Sequence, residues 1–585
     1  LAASRFGPPA RRVALAGVGL CLCAVPAPGL GQVVERHAPA SPVVAAPALP
    51  PAPPPVVSED DHPLGANLRA LVLLGPDDPT AGDASPGVTV SPALPRLSQG
   101  AATRLLGAYI GQPISRALIS RVEASIVGEW RREGFPLVSV STPEQEIGQG
   151  VLRIRVLEFR VGKVKIAGAA WREAGPIWRG VALAPGDPID GRKLTRDLDW
   201  LGRYPFRSIE PAFTPGAAPG ETDIDLAVTA RRPWQVEAGY ANSGVSPTDE
   251  NRYFVGVTVG GLGAADSLLS VLITGSPDFW VSHGTVLGEP HPTYESISSR
   301  LTAPTGARQE LDLTLDAIET NQPVQAFMVR EQTLETSLVW RASLSNLIPL
   351  PGDVRLGVEA QSQRRTTFFG PTAVSAGGVN IYQFVGGWSR DWSDRFGHAA
   401  LDVAIHVAPG GLDRLNSAAS LADFTSGRAA SATYAYLDLN YDRTTPIVRG
   451  FSVVTQFVGQ YAARPLPDSD QMGLGGQGAV RGYYLGAGAF DDALILRDEL
   501  RAPALALLWS GPAASQIGPF AFVDFGYGRN DATRKGQDFA AIGLGADLQV
   551  SRWMAANLSL SYPLATAPYT PAGAWRLEAS VTLSY

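Results

Sequence analysis

Beyond Arg232 the sequence keeps a period of two. At the end of the chain Trp575, Leu577, Ala579, Val581, Leu583 and Tyr585 alternate with Arg576, Glu578, Ser580, Thr582 and Ser584. "MAANLSLSY" sets Leu558, Leu560 and Tyr562 against Asn557, Ser559 and Ser561, and "AIGLGADLQV" sets Ile542, Leu544 and Leu548 against Gly543, Gly545 and Asp547. "WQVEAGY" opens the series with Trp234, Val236 and Tyr240 on one face and Gln235 and Glu237 on the other. Such alternation puts apolar and polar side chains on opposite faces of a strand. About sixteen segments of about ten residues, punctuated by Gly, Pro, Asp and Asn, fill residues 232–585, the density of a membrane β-barrel. A soluble sheet with one wet face alternates in the same way. Closure is favoured because an open sheet of this size leaves unpaired edges, and because aromatic residues cluster at segment ends as in interfacial girdles. No apolar run approaches the roughly 20 residues of a spanning helix.

The residues before the barrel divide into three. Arg11 and Arg12, then "VALAGVGLCLCAV", then the small residues of "PAPGLGQ" follow the order of a secretory signal, assigned to residues 1–31; a buried helix is the alternative. Cys21 and Cys23 are the only cysteines, so past residue 31 no disulfide or thiolate ligand set can form. Residues 32–66 are dominated by "HAPASPVVAAPALPPAPPPVVSEDDH", an extended linker. Residues 67–157 and 158–231 then repeat one order of strand, helix, strand, strand. In the first unit "LRALVLL" is a strand, and Leu118, Val122, Ile126 and Trp130 form a helical stripe. "FPLVSVSTPEQ" and "GVLRIRVLEF" complete that unit. In the second, "VGKVKIAG" precedes a helix with Leu194, Leu198 and Leu201 on one face, then "FRSIEPAF" and "TDIDLAVTA". The expectation is two small α/β modules in tandem.

Charge and motifs exclude several functions. A net charge of −7 with 18% charged residues gives no basic surplus for nucleic acid. The six histidines show no metal-ligand spacing, and no serine sits in a nucleophile elbow. "GLGGQG" mimics a dinucleotide fingerprint, but no patterned helix follows it, so loop flexibility is the better reading. No catalytic residue, cofactor or metal is expected.

One constellation stands out. "GGQGAVRGYYLGAGAFDDALILRDELRAPAL" places Arg481 in a glycine-rich stretch ahead of a strand with Arg497, Glu499 and Arg501 on one side. "FVDFGYG" puts Phe522, Asp524 and Gly526 on one strand face, and Val523, Phe525 and Tyr527 on the other. With the apolar set toward lipid, Asp524 points into the lumen, where a buried carboxylate needs a cation. Arg481 is the candidate. The glycines let its loop fold inward, and a guanidinium can grip a carboxylate with two parallel bonds. Lysine lacks that fork. Competing readings are a solvated loop arginine, a local turn bond from Asp524 near Gly526, and a merely wet pore wall at Arg497, Glu499 and Arg501.

"VRGY" (Val480, Arg481, Gly482, Tyr483) and the Phe-x-Asp-x-Gly of Phe522, Asp524 and Gly526 resemble the paired motifs of TpsB transporters. These outer-membrane partners of two-partner secretion, the haemolysin secretion/activation family, are relatives of the BamA assembly factors. "REGFPLVSVSTPEQEIGQGVLRIRVLEFRVGKVKIAG" resembles the junction of the family's two POTRA domains, and "RYPFRSIEPAFTPGAAPGETDIDLAVTARRPWQVEAGYANSG" its passage into the barrel. The likeness runs from Asn67 to Tyr585. It implies two periplasmic α/β POTRA domains, 67–157 and 158–231, followed by a 16-stranded antiparallel transmembrane β-barrel, 232–585. It further implies that loop 462–492 is folded into the pore with Arg481 tied to Asp524. The partner implied is a secreted exoprotein whose N-terminal secretion domain adds a strand to a POTRA sheet. Outer-membrane lipid is a second expected contact, and the barrel assembly machinery, reading Leu583 and Tyr585 of the last strand, a third. The family often has an N-terminal plug helix; here only "QVVERHA" precedes the proline-rich linker, so a short or absent plug is expected. An assembly factor, which usually carries more POTRA modules, a passive porin and an outer-membrane enzyme are the alternatives.

Overall fold

The computed structural model describes residues 35, 58–82, 84–169, 171–281, 291–348, 350–507, 515–551 and 553–585. The expected signal and most of the expected linker lie outside the described residues.

The first module contains strands β1 (Ala70–Leu74), β2 (Gly87–Val90), β3 (Val138–Ser141) and β4 (Val151–Glu158), with helices α1 (Gln99–Leu106) and α2 (Arg116–Arg132). Its sheet runs β2-β1-β4-β3. Helix α2 starts where the Ser115 hydroxyl accepts the Leu118 N–H, and carries Arg131 and Arg132 in its last turn, where they complement the helix dipole. Gly134, at φ 97°, turns the chain away just beyond the helix end. The stripe Leu118, Val122, Ile126 and Trp130 is buried against Leu71, Leu73, Leu152, Ile154 and Val156. The second module has one strand fewer: β5 (Arg160–Ala167), β6 (Arg207–Pro215) and β7 (Glu221–Ala230) in the order β5-β7-β6. Helices α3 (Trp171–Gly180) and α4 (Gly191–Leu201) cover it. Leu194, Leu198 and Leu201 of α4 meet Ile209, Ile224 and Leu226.

The rest of the chain closes on itself. The strands in order are β8 (Trp234–Ala241), β9 (Arg252–Gly260), β10 (Leu268–Gly275), β11 (Tyr294–Gly306), β12 (Gln309–Val324) and β13 (Phe327–Ser343). Next come β14 (Asp353–Phe369), β15 (Thr372–Asp394), β16 (Gly397–Ala408), β17 (Tyr434–Pro446) and β18 (Ser452–Ala462). Last are β19 (Asp492–Arg501, resuming at Leu505–Ala506), β20 (Ser515–Asn530), β21 (Lys535–Val550), β22 (Met554–Pro563) and β23 (Arg576–Ser584). Each pairs antiparallel with its neighbour, and β23 meets β8 from Ser580↔Ala241 to Ser584↔Glu237, giving the expected closed barrel of sixteen strands. Several strands exceed ten residues, β15 reaching 23, because hairpins continue beyond the apolar band. Val523, Leu544, Leu560 and Leu577 face outward, whereas Asp524, Ser559, Ser561 and Glu578 are buried inside. Trp234 and Trp553 flank Tyr585 at 5.9 and 5.3 Å on the rim next to the modules.

The second module is bolted to that rim. Arg207, 1% exposed, holds Asp266 in the β9–β10 turn with both terminal nitrogens. Arg203 reaches Asp353 at 2.6 Å and Glu310 at 3.6 Å. Arg308, between β11 and β12, lies 3.3 Å from the fully buried Asp197 of α4. Two barrel turns and the first residues of β12 and β14 therefore hold one module.

Candidate functional site: a loop locked inside the barrel

The segment between β18 and β19 leaves the far rim and folds into the lumen. Gly476, at φ 102°, donates to the Tyr483 carbonyl at 2.8 Å, and Val480 donates to Leu474 at 3.0 Å, closing a compact hairpin-like tip. The tip has its own apolar core. Leu474, Val480, Tyr483 and Phe490 are buried with Ile495, Phe539 and Ala541 of the wall. Gly482 has φ 87°, and a Cβ there would stand 2.8 Å from the Ser561 Cβ, so the backbone touches the wall at a point only glycine permits. Gly526 is explained the same way. A Cβ on it would lie 2.8 Å from Val480 Cγ2, so the last residue of one motif makes room for the first residue of the other.

Arg481 is the centre of the contact and is 3% exposed. Its Nε donates to Asp524 Oδ2 at 2.7 Å and its Nη2 to Asp524 Oδ1 at 2.7 Å, the two-pronged grip that guanidinium geometry allows. Its main-chain N–H adds a third bond to Oδ2 at 3.0 Å. Nη1 donates to Glu499 Oε1 at 2.6 Å. The guanidinium also lies 3.6 Å from the Phe522 ring centroid, a cation–π contact. Asp524 is completely buried, so neither a turn bond of its own nor solvent satisfies it.

The neighbouring charges form a relay rather than a wet wall. Arg501 bridges Glu499 and Asp547, both at 2.6 Å. Arg497 sits 3.9 Å from Asp524 and donates to Gln456 at 3.2 Å and to the Gly478 carbonyl at 3.3 Å. Arg481, Arg497 and Arg501 thus face Asp524, Glu499 and Asp547 within one low-dielectric cluster, which strengthens each pairing. The solvated-wall alternative is corrected for these three strand residues.

Other holders carry no mark in the sequence. Glu578, on the polar face of β23, accepts the Gly482 N–H at 3.3 Å. The Tyr483 hydroxyl lies 2.9 and 2.8 Å from the Ala540 and Ala565 carbonyls and shares its single proton between them. At the loop's base Asp491 is fully buried and accepts from the N–H groups of Leu466 and Asp531, both at 2.9 Å. "FDDAL" offered the only hint, two adjacent acids opening a strand. Leu583 and Tyr585 lie elsewhere, at the outer face of the β23–β8 seam, where Tyr585 exchanges backbone bonds with Val236 at 2.9 and 3.1 Å. Among the described residues no group of His, Cys, Asp and Glu is placed to hold a metal. No helix among them is long and apolar enough to cross a membrane, which says nothing of strands.

A sixteen-stranded barrel with two α/β modules on one rim and an arginine loop locked in its lumen defines an outer-membrane transporter of the POTRA–barrel type. Residues 220–550 match the family described as haemolysin secretion/activation protein ShlB/FhaC/HecB, and the chain belongs to that family. Its place is the outer membrane, with the modules in the periplasm, and its class is the two-partner secretion transporter. The outer membrane transporter CdiB of Dickeya dadantii (strain 3937) is 22% identical over 489 residues, 80% of each chain. CdiB-2 of Burkholderia pseudomallei (strain 1026b) is 24% identical over 441 residues, 72% of this chain and 69% of the relative. The solved structure of CdiB from Escherichia coli shares the fold at TM-score 0.65, with 15% identity, over 91% of this chain and 94% of that one.

Proposed function

We propose that this transporter exports one large haemolysin- or haemagglutinin-like exoprotein, with the loop of residues 462–492 as the element that must move. The observation that carries the reading is the buried grip of Arg481 on Asp524 and Glu499. Breaking a buried ion pair is expensive unless a partner supplies compensation, so the loop stays seated until a cargo engages. Residues 67–157 and 158–231 act as the capture modules, an incoming strand adding to a sheet edge through main-chain bonds. The second module stands at the pore mouth because ion pairs to two turns and to the start of β14 hold it there. The outer girdle meets lipid, and Leu583 and Tyr585 present the last strand to the assembly machinery.

Co-expression with a large exoprotein that carries an N-terminal secretion domain tests the reading. The exoprotein reaches the medium only when this chain is present, and deletion of residues 67–231 abolishes its capture while the heat-modifiable barrel remains. Exoprotein in the medium without the transporter would end the proposal.

A further inference from the structure

A second arginine site lies in the lumen, apart from the Arg481 cluster. Arg252, the first residue of β9, is fully buried and is the better organised of the two. Its Nη1 is committed to three main-chain carbonyls, those of Thr248, Asp249 and Asn251, at 3.0, 2.9 and 3.0 Å. Thr248 adds its hydroxyl to Nη2 at 2.9 Å. The Tyr294 ring stacks on the guanidinium at 4.1 Å. Gly244 completes the cradle, since a Cβ there would come 2.6 Å from the guanidinium carbon. These contacts fix the guanidinium plane and leave its remaining fork pointing at one ligand.

That ligand is a carboxylate on a polypeptide. Glu35, 217 residues away in sequence, receives Nε on one oxygen and Nη2 on the other, both at 2.7 Å. The Tyr294 hydroxyl donates to the main-chain carbonyl of the same glutamate at 2.8 Å. The site therefore reads two features of a single residue, an acidic side chain and the carbonyl beside it. Reading the main chain as well as the carboxylate selects a peptide over a free anion. Glu35 also borders a cavity of about 420 Å³ between the seated loop and the strands β12, β13 and β14, so the site opens onto the free part of the lumen.

We propose that Arg252, Tyr294 and Thr248 form a lumenal subsite for an acidic residue of an extended polypeptide, filled at rest by Glu35 and yielded to an acidic residue of the exported chain. The proposal rests on the transporter reading. The occupant is a tethered competitor, present at the millimolar effective concentration typical of intramolecular ligands, so an outside peptide binds the native chain more weakly than a chain lacking Glu35.

The test uses the full chain in detergent and a fluorescent heptapeptide with the sequence of residues 32–38, QVVERHA. Glu35→Ala is expected to bind this peptide at least tenfold tighter than the native chain. Replacing the peptide's glutamate by glutamine removes the gain. Within the Glu35→Ala background, Arg252→Lys abolishes binding, since lysine keeps the charge but not the fork. Tyr294→Phe, which keeps the stacked ring but loses the bond to the carbonyl, weakens binding several-fold. Only variants with a heat-modifiable barrel are compared. Equal binding by the native and Glu35→Ala chains, or indifference to the peptide's glutamate, overturns the subsite. Exoprotein secretion by the native chain is measured alongside. Secretion without peptide selectivity sinks the subsite alone, whereas absent secretion sinks the transporter reading.

Discussion

Replacing Arg481 by alanine removes the guanidinium but leaves both its carboxylates in place. Asp524 keeps the main-chain N–H of residue 481 and the more distant Arg497, 3.9 Å away. Glu499 keeps Arg501 at 2.6 Å. Stripping a partner from a buried pair costs about 3–5 kcal/mol, and the surviving partners place this case near the lower end, ~3 kcal/mol. At about 1.4 kcal/mol per tenfold, the seated-to-released ratio of the loop falls by roughly a hundredfold. The barrel itself does not depend on the loop for closure, because every wall strand has both neighbours. Both natural cysteines lie at positions 21 and 23, so Gln477→Cys at the loop tip offers a unique thiol past that segment. Gln477 is held to Asn557 at 3.0 Å when the loop is seated. Maleimide labelling of that thiol should accelerate about a hundredfold in Arg481→Ala at equal amounts of heat-modifiable barrel, roughly the fold-change just worked out. Adding Asp524→Asn should recover part of the seating by removing the stranded charge, a non-additivity typical of contacting pairs. Labelling that rises less than about threefold, by the same conversion under 1 kcal/mol, would refute the claim that this ion pair seats the loop.

Gly482→Ala, which forces a Cβ against Ser561 at positive φ, should raise the same labelling rate about tenfold or more with Arg481 intact, left-handed strain alone being ~1–2 kcal/mol. Arg207→Ala strands the carboxylate of Asp266 and should loosen the second module by ~3 kcal/mol, seen as faster hydrogen exchange in β6 with unchanged barrel heat-modifiability. Burial raises Asp197 above its ordinary 3.8, against the opposing pull of the Ala182 N–H and Arg308. The folded state then holds its proton to higher pH than the unfolded state, so this group's penalty is absent below about pH 3.8 and grows as pH rises through the folded value. Exchange protection of α4 should fall from pH 4 toward pH 7 in the native chain and lose that slope in Asp197→Asn.

The barrel is legible in the sequence because a lipid face and a wet face impose period two on every strand, and a single shifted residue would invert both. Helix α2 is legible from its stripe of Leu118, Val122, Ile126 and Trp130, all four of them buried. Helix α1 is not, since only Ala102 and Leu106 of its eight residues are fully buried, and α3 hides behind Pro176. The contact of Arg481 with Asp524 is readable because glycine around the one and apolar neighbours around the other are unusual settings for charges. Glu578 sits among Arg576, Ser580 and Thr582 like any polar-face residue, and only the register of β23 aims it at Gly482. Glu35 and Arg252 lie too far apart in sequence for any local pattern to join them.

Glu578 belongs to the final strand, and this has a consequence for how the loop is held. Without the residues from Ala565 onward, the Gly482 amide loses its acceptor on Glu578 and the Tyr483 hydroxyl loses the Ala565 carbonyl. Full seating of the loop therefore depends on the C-terminal hairpin as well as on the Arg481 pair, so the finished cylinder holds its passage shut more firmly than an open wall would.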